Sequence, residues 1–217
     1  MTPKTAQKSG SPSPSVVVFD MGGVLLDWNP RHVYRQLIPD AEEMESFLAT
    51  VTTTKWHNVQ DAGGDPAEAT GRLKAEFPDK AALIDAFYGR FDEMLEHPIP
   101  EMAAVVERLH KAGTPLYLLS NAPALVDAWA RGPGRQRLPF LACFRDYVVS
   151  GVVTCMKPEA RIYDLACRAG GFQPGDAVFI DDSLPNVEGA RAVGMHGIHH
   201  RSPAETIAAL RALGLPA

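Results

Sequence analysis

The stretch of sequence that decides the fold is VVVFDMGGVLLDW, at residues 16–28. It opens with four consecutive apolar residues, Val16–Phe19, and the first three of them are β-branched. A continuous apolar run of this length is typical of a strand buried on both faces, as in a parallel sheet. Asp20 follows the run directly, and Gly22 and Gly23 come soon after it. We therefore expect an acidic side chain at the end of a buried strand, beside a glycine-rich loop.

Four further short apolar runs predict the remaining strands, at residues 116–119, 147–149, 177–180 and 195–199. The segments between them carry apolar residues at helical spacing, and several of these segments end at glycine. Alternating strands and helices predict right-handed crossovers and a doubly wound parallel α/β sheet, with a Rossmann-like core. In such sheets, ligands bind beyond the carboxyl ends of the strands.

Residues 29–96 interrupt this alternation. They carry several helix-start signals and an apolar stripe at i, i+4 spacing, but no run that predicts a strand. We interpret them as an α-helical cap inserted into an α/β core formed by residues 16–28 and 97–217. Residues 1–15 are rich in Pro, Ser, Thr and Lys, so we expect a flexible tail there.

Composition narrows the range of functions. The 217 residues include 21 basic and 26 acidic side chains, a formal net charge of −5, which does not favour nucleic acid as a partner. No apolar run approaches the roughly 20 residues that cross a bilayer, and no secretory signal opens the chain, so we expect no membrane association. Three cysteines without metal-site spacing favour a reducing, cytoplasmic location. The sequence does not indicate an oligomeric state.

Polar residues follow the predicted strands, where their side chains would meet at one edge of the sheet. A lone Asp20 is explained equally well as a turn-stabilising residue. Four polar clusters at one edge favour a binding site instead; the other three are Ser120-Asn121, Lys157-Pro158 and Asp181-Asp182. Two adjacent carboxylates repel each other unless a cation or hydrogen-bond donors hold them, and Mg²⁺ with a substrate phosphate is a common solution.

Four runs resemble the motifs of the haloacid dehalogenase-like hydrolase superfamily, in that superfamily's order: VVVFDMGGVLLDW, LYLLSNAP, MKPEARIY and VFIDDSLPNVEGA. The resemblance extends from about residue 16 to residue 200, and the helical insertion resembles the superfamily's cap. The nearest likeness is to bacterial small-molecule phosphatases, including the α-glucose-1-phosphatase-like group. The resemblance implies magnesium-dependent hydrolysis of a small phosphate ester, such as a sugar phosphate, through an aspartyl-phosphate intermediate.

The resemblance also implies roles for individual residues. Asp20 would be the nucleophile, and Lys157 would neutralise charge on the nucleophile and the phosphate. The phosphoryl group would be bound by Ser120 or Asn121, beside the loop that contains Gly22 and Gly23. The magnesium ligands would be the carboxylates of Asp20, Asp181 and Asp182 and the backbone carbonyl of Gly22.

Gly22 is a departure from the family pattern. The typical phosphatases carry a second Asp two residues after the nucleophile, which protonates the leaving group. The true haloacid dehalogenases also lack this Asp and need no metal, so a metal-independent 2-haloacid dehalogenase is an alternative. A catalytically weak phospho-ligand binder is another. The acidic pair Asp181-Asp182 favours the phosphatase, and the α-glucose-1-phosphatase-like group also has glycine at this place.

Without that Asp, the proton for the leaving group would come from water or from a residue at the cap. The candidate acids are Asp27, His32 and His57, and Trp28 is a further candidate for contact with the leaving group; ordinary helix packing explains each of them as well. His196, His199 and His200 are not expected to bind a metal together. Strand alternation places His199 on the opposite face from the other two.

Overall fold

The computed structural model describes residues 13–217. Within them, five strands form one parallel sheet in the order β3-β2-β1-β4-β5. The strands are β1 (Val16–Phe19), β2 (Leu116–Ser120), β3 (Asp146–Val149), β4 (Ala177–Asp181) and β5 (His196–His199). All five lie within one residue of the predicted runs, which confirms the doubly wound sheet. Most of the predicted tail, residues 1–12, lies outside the described residues.

Within residues 29–96 the chain forms five α-helices and two short 3₁₀ turns, at Pro78–Lys80 and Phe91–Met94. The helices are α1 (Arg31–Leu37), α2 (Ala41–Thr50), α3 (Thr54–Asp61), α4 (Pro66–Glu76) and α5 (Ala81–Gly89). Residues 29–96, all of which the structure describes, contain no strand. An α-helical cap of this kind is what the sequence predicts.

Seven further α-helices of the described chain lie outside residues 29–96. They are α6 (Pro100–Lys111), α7 (Ala124–Arg131), α8 (Pro133–Arg137), α9 (Ser150–Val153), α10 (Ala160–Gly170), α11 (Leu184–Ala192) and α12 (Pro203–Ala212). Among them, α6, α10, α11 and α12 pack against the sheet. Two more 3₁₀ turns lie at Pro139–Cys143 and Pro174–Asp176. No helix among residues 13–217 is long and apolar enough to cross a membrane.

Residues alternate across the central strand β1 and build two apolar layers. Val17 and Phe19 belong to the layer that includes apolar side chains of α6 and α12, and this layer continues into the cap. Val16 and Val18 face the other way, towards α10 and α11. Every residue of β1 is buried, which explains the continuous apolar run in the sequence.

The helix that carries most of the cap's polar active-site residues, α3, starts at a side-chain cap. The Thr53 hydroxyl accepts a hydrogen bond from the backbone N–H of Trp56 at 3.1 Å. At its other end, the backbone carbonyl of Asp61 accepts a hydrogen bond from the Ser150 hydroxyl at 2.6 Å. Because Ser150 follows β3 directly, this bond ties the end of α3 to the core.

Candidate active site

Asp20 follows the central strand β1 at its carboxyl end. Its backbone N–H donates to the Ile180 carbonyl at 2.9 Å, which extends the pairing with β4. Its carboxylate accepts a hydrogen bond from the Met21 N–H at 2.7 Å. The residue is only 8% exposed. Burial raises the pKa of Asp20 to about 7, and the nearby Lys157 ammonium offsets only part of this effect.

Lys157 contacts two of the carboxylates. Its Nζ lies 2.9 Å from Asp20 Oδ1 and 2.7 Å from Asp181 Oδ2, and it donates to the Leu119 carbonyl at 3.0 Å. Burial lowers the pKa of Lys157, but Asp20 and Asp181 raise it by more, so the net shift is upward. Lys157 is therefore a buried, permanent cation in contact with two acids.

Asn121 fixes the backbone on which Lys157 sits. The Asn121 amide donates to the Lys157 carbonyl at 2.9 Å, and its oxygen accepts from the Lys157 N–H at 2.8 Å. Ser120, the last residue of β2, is buried beside it and lines the same cavity. Sequence reasoning treated Asn121 as a phosphate ligand and missed its part in placing the lysine. Phosphate binding by either residue stays a prediction.

The two adjacent acids at the end of β4 differ in environment. Asp181 is fully buried, and its Oδ1 accepts hydrogen bonds from the Ser183 N–H at 2.7 Å and from the Asn186 amide at 3.1 Å. Asp182 is exposed. Asp20, Asp181 and Asp182 each offer one oxygen, and these oxygens lie within 4.8 Å of one another.

This donor set fits a hard divalent cation. Three carboxylates surround one ammonium group, so the ionised cluster carries excess negative charge. Although Asp182 is exposed as a residue, partial desolvation of its carboxyl group raises its pKa, and the Asp181 carboxylate raises it further. Both effects disfavour the ionised form of the Asp182 carboxyl group. A cation bound by the three oxygens would offset them. All-oxygen ligands at this spacing suit Mg²⁺.

The two glycines after Asp20 differ in how much space surrounds them. Gly23 has a φ of +70°, and a Cβ there would overlap the Asp182 carboxylate, so the close approach of the two loops favours glycine. A Cβ at Gly22 would meet nothing closer than Trp28 Cβ, at 3.7 Å. The left-handed φ and the nearby Asp182 carboxylate therefore favour glycine at position 23, whereas position 22 has room for a Cβ.

A cavity of about 300 Å³ opens above Asp20, between the sheet edge and the cap. Asp20, Ser120 and Asp182 line it from the core, and α3 contributes Thr54, His57, Asn58 and Asp61. Much of the remaining wall is apolar, formed by Trp28, Phe91, Leu95, Ala122, Pro123 and Val126. The arrangement leaves space for a small group attached to a phosphate at Asp20.

A row of polar side chains, the buried Asp61 and His57 and the half-buried Tyr88, borders this cavity in the cap. His57 Nε2 lies 3.4 Å from Asp61 Oδ1, and His57 Nδ1 lies 2.9 Å from the Tyr88 hydroxyl. Burial lowers the pKa of His57 to about 4 and raises the pKa of Asp61 to about 7. At neutral pH, His57 is therefore uncharged, and Asp61 is protonated in a large share of the molecules.

The cap residues predicted from sequence divide into two groups. Trp28 and His57 line the cavity, and their rings stack with centroids 5.2 Å apart. Asp27 and His32 do not line it. They contact each other instead, with His32 Nε2 3.1 Å from Asp27 Oδ2, and His32 stacks on His97.

Sequence reasoning missed Asp61. The signal was its i, i+4 spacing from His57, which places both residues on one face of α3. Two of the three C-terminal histidines contact different partners. His199 contacts the Asp182 carbonyl at 2.9 Å, while the buried His200 contacts the Thr206 hydroxyl at 2.8 Å.

The parallel sheet with a lysine and three acids at its carboxyl edge defines a hydrolase-type α/β site, and comparison identifies the family. The family model described as haloacid dehalogenase-like hydrolase matches residues 14–194. The chain belongs to this family and is a hydrolase. The bacterial phosphatase subgroup named by the sequence resemblance stays a prediction.

Two relatives are named phosphatases. The chain is 26% identical to a sesquiterpene phosphatase of Aspergillus oryzae, over 90% of this chain and 94% of the relative. It is 30% identical to an N-acetylmuramic acid 6-phosphate phosphatase of Pseudomonas aeruginosa, over 82% of this chain and 77% of the relative.

Solved structures share the fold. A HAD-like hydrolase from Porphyromonas gingivalis superposes with a TM-score of 0.67 at 22% identity, covering 92% of this chain and 98% of that one. A HAD family enzyme from Bacteroides thetaiotaomicron, solved with magnesium and inorganic phosphate, has a TM-score of 0.60 at 23% identity. That match covers 85% of this chain and 93% of the other.

Proposed function

We propose that this protein is a magnesium-dependent phosphatase that hydrolyses a small phosphorylated metabolite, such as a sugar phosphate, through an aspartyl-phosphate at Asp20. The observation that carries the proposal is the buried contact of Lys157 with both Asp20 and Asp181 at the floor of a cavity. The two relatives named phosphatases support the same chemistry. The three free cysteines support a cytoplasmic location as part of the proposal.

In the proposed reaction, a carboxylate oxygen of Asp20 attacks phosphorus, and the bond from phosphorus to the leaving oxygen breaks. Lys157 stays charged beside Asp20 and stabilises the negative charge of the transferring group. Water then attacks phosphorus in the aspartyl-phosphate, which releases inorganic phosphate and restores the Asp20 carboxylate. The cap of residues 29–96 would limit the access of bulk water during the first step.

Magnesium would be held by Asp20, Asp181, Asp182 and the Gly22 carbonyl. When bound, it supplies positive charge that lets an anionic phosphate approach a carboxylate nucleophile. The exposed Asp182 argues against the metal-independent dehalogenase, because an anionic haloacid would meet an uncompensated carboxylate.

A turnover assay tests the proposal. Purified protein would be given p-nitrophenyl phosphate and a panel of phosphorylated sugars and other metabolites, with Mg²⁺ or with excess chelator, and 2-chloropropionate in parallel. The phosphatase predicts phosphate release that depends on Mg²⁺ and no chloride release. Chloride release in the presence of chelator would contradict the phosphatase and support the dehalogenase. Stoichiometric binding of phosphate esters without turnover would instead indicate a binding protein.

A further inference from the structure

The proposed reaction lacks an acid two residues after the nucleophile, where the family's typical phosphatases carry one. An alkyl leaving group departs as an alkoxide unless a group gives it a proton, and such help accelerates reactions by roughly 10²- to 10⁴-fold. Gly22, two residues after the nucleophile, has no side chain that could do this. Because a Cβ at Gly22 would have room, steric fit does not explain the missing side chain.

We propose that Asp61, at the end of α3, is the acid that protonates the leaving group. The inference rests on the proposed function, because it assigns a residue to that reaction. Asp61 lines the same cavity as Asp20, but it comes from the cap side. It is 6% exposed, and its buried Oδ1 has no hydrogen-bond partner among the described residues.

Two contacts of Asp61 fix its position beside the cavity. Its backbone carbonyl is bonded to Ser150 of the core, so the end of α3 is fixed relative to the sheet. His57 Nε2 lies 3.4 Å from Oδ1, a distance that holds the imidazole near the carboxyl group. Asp61 is thus placed by one contact to the core and one to its own helix.

The titratable groups that face Asp61 are few. His57 is on the same helix, Tyr88 approaches from α5, and Asp20 and Asp182 lie across the cavity. The hydrogen bond to Asp61 from α9, which packs against α3, comes from the uncharged Ser150. Burial raises the pKa of Asp61 to about 7, so a large share of the molecules hold a proton there at neutral pH.

The step balances. As Asp20 attacks phosphorus, the bond from phosphorus to the leaving oxygen breaks and its electron pair stays on that oxygen. The oxygen takes the proton of Asp61, so an alcohol leaves and Asp61 becomes a carboxylate. In the second half, water gives a proton to Asp61 as it attacks phosphorus, and the bond from phosphorus to Asp20 breaks. Phosphate leaves, and both acids return to their starting forms.

The alternative donors are less well placed. Asp27 and His32 contact each other outside the cavity. His57 lines the cavity, but burial lowers its pKa to about 4, so it holds almost no additional proton at neutral pH.

The test compares kcat/KM for alkyl phosphates and for p-nitrophenyl phosphate, whose leaving group needs no proton. Asp61→Asn should lower the alkyl value by roughly 10²- to 10⁴-fold and the aryl value by less than about tenfold. Asp65→Asn is the matched control: it removes a cap carboxylate outside this cavity and retains an α4 N-cap, and both values should stay unchanged. The aryl rate also reports whether the Asp61 variant has folded.

A rescue and a pH profile complete the test. Gly22→Asp added to Asp61→Asn should restore alkyl turnover, because it places an acid beside the nucleophile.

In the unaltered protein, the ratio of alkyl to aryl kcat/KM should fall as pH rises through about 7, where Asp61 loses its proton. Equal losses for both substrates, a flat ratio, or an alkyl-specific loss in Asp27→Asn would overturn the assignment. Failure of the parent to hydrolyse either ester would instead overturn the proposed function.

Discussion

At the carboxyl edge of the sheet, Lys157 lies 2.9 Å from Asp20 and 2.7 Å from Asp181, and these three groups are buried. In the cap, His57 and Asp61 are also buried, but His57 Nε2 and Asp61 Oδ1 are 3.4 Å apart, and Oδ1 has no hydrogen-bond partner among residues 13–217. The first region keeps a lysine charged among acids. The second moves both of its groups towards neutrality.

The difference separates two kinds of chemistry. A buried charge persists only where an opposite charge and hydrogen bonds offset its desolvation, as around Lys157. Burial raises the pKa of a carboxyl group to about 7 in both regions, at Asp20 and at Asp61, but only Asp20 has a cation beside it that opposes this effect. We infer that the sheet edge stabilises charge during phosphoryl transfer, whereas the cap donates a proton to the leaving group.

The largest effect is expected at the nucleophile. Asp20→Asn should reduce turnover to background while leaving the fold intact, because an amide cannot supply the attacking oxygen. The measurement is p-nitrophenyl phosphate hydrolysis with Mg²⁺, alongside a circular dichroism melt. A variant that keeps more than a small share of activity, with deamidation excluded by mass spectrometry, would move the nucleophile elsewhere.

The next effect is on stability at the sheet edge. Lys157→Met should lower the free energy of unfolding by about 3–5 kcal/mol, because it leaves two buried carboxylates without their cation. Urea titrations measure the loss, with Lys55→Met as an exposed control. Added Mg²⁺ should recover part of it. A loss no larger than that of the control would mean that the lysine is not the compensating charge.

The cap pair makes a prediction about pH. Between about pH 4 and 6.5, His57 and Asp61 together hold one proton in the folded state, on Asp61, and one in the unfolded state, on His57. Their joint contribution to stability is therefore flat in this window. Removing either partner should reveal how the contribution of the other residue to the free energy of unfolding changes with pH.

Asp61→Asn leaves His57, whose folded pKa is lowered, so stability should rise with pH from about 4 to 6.5, by roughly 3 kcal/mol. His57→Gln leaves Asp61, whose folded pKa is raised, so stability should fall as pH rises from 3.8 to about 7. Urea unfolding across this range, as differences from the parent, measures both. Parallel curves for the parent and the two variants would show that the pair is not shifted by burial.

The smallest stability effect is expected at Asp182. Asp182→Ala should weaken Mg²⁺ binding at least about tenfold, yet raise metal-free stability by less than about 1 kcal/mol, since it removes repulsion from Asp181. Calorimetric Mg²⁺ titration and a thermal melt in chelator measure the two effects. The exposed Asp79→Ala serves as the control. Unchanged Mg²⁺ affinity would remove Asp182 from the proposed ligands.

The sequence predicted the sheet and its polar edge well because both depend on local patterns. Buried parallel strands read as apolar runs, and the residue after each run has to lie at the carboxyl edge. The sequence alone therefore predicts that Asp20 and Asp181 lie together. The contact between Asn121 and Lys157 could not be predicted, because it joins two loops that only the folded chain brings together.

The roles of the cap residues were harder to predict from the sequence. Asp27 and His57 looked equivalent as acids near the cap, but only the tertiary packing of α3 turns His57 into the cavity and leaves Asp27 outside it. Asp61 carried no distinguishing sequence signal beyond its spacing from His57. Its importance comes from burial, which is a property of the assembled cap and core.

The central claim is that Asp20 carries the phosphoryl group during turnover. Rapid-quench mass spectrometry of the protein mixed with p-nitrophenyl phosphate and Mg²⁺ tests it most directly. The account predicts one phosphoryl group on the peptide that contains Asp20, formed together with the first nitrophenol released, and none in Asp20→Asn. Turnover at full rate with that peptide unmodified, in the parent and at every quench time, would contradict it.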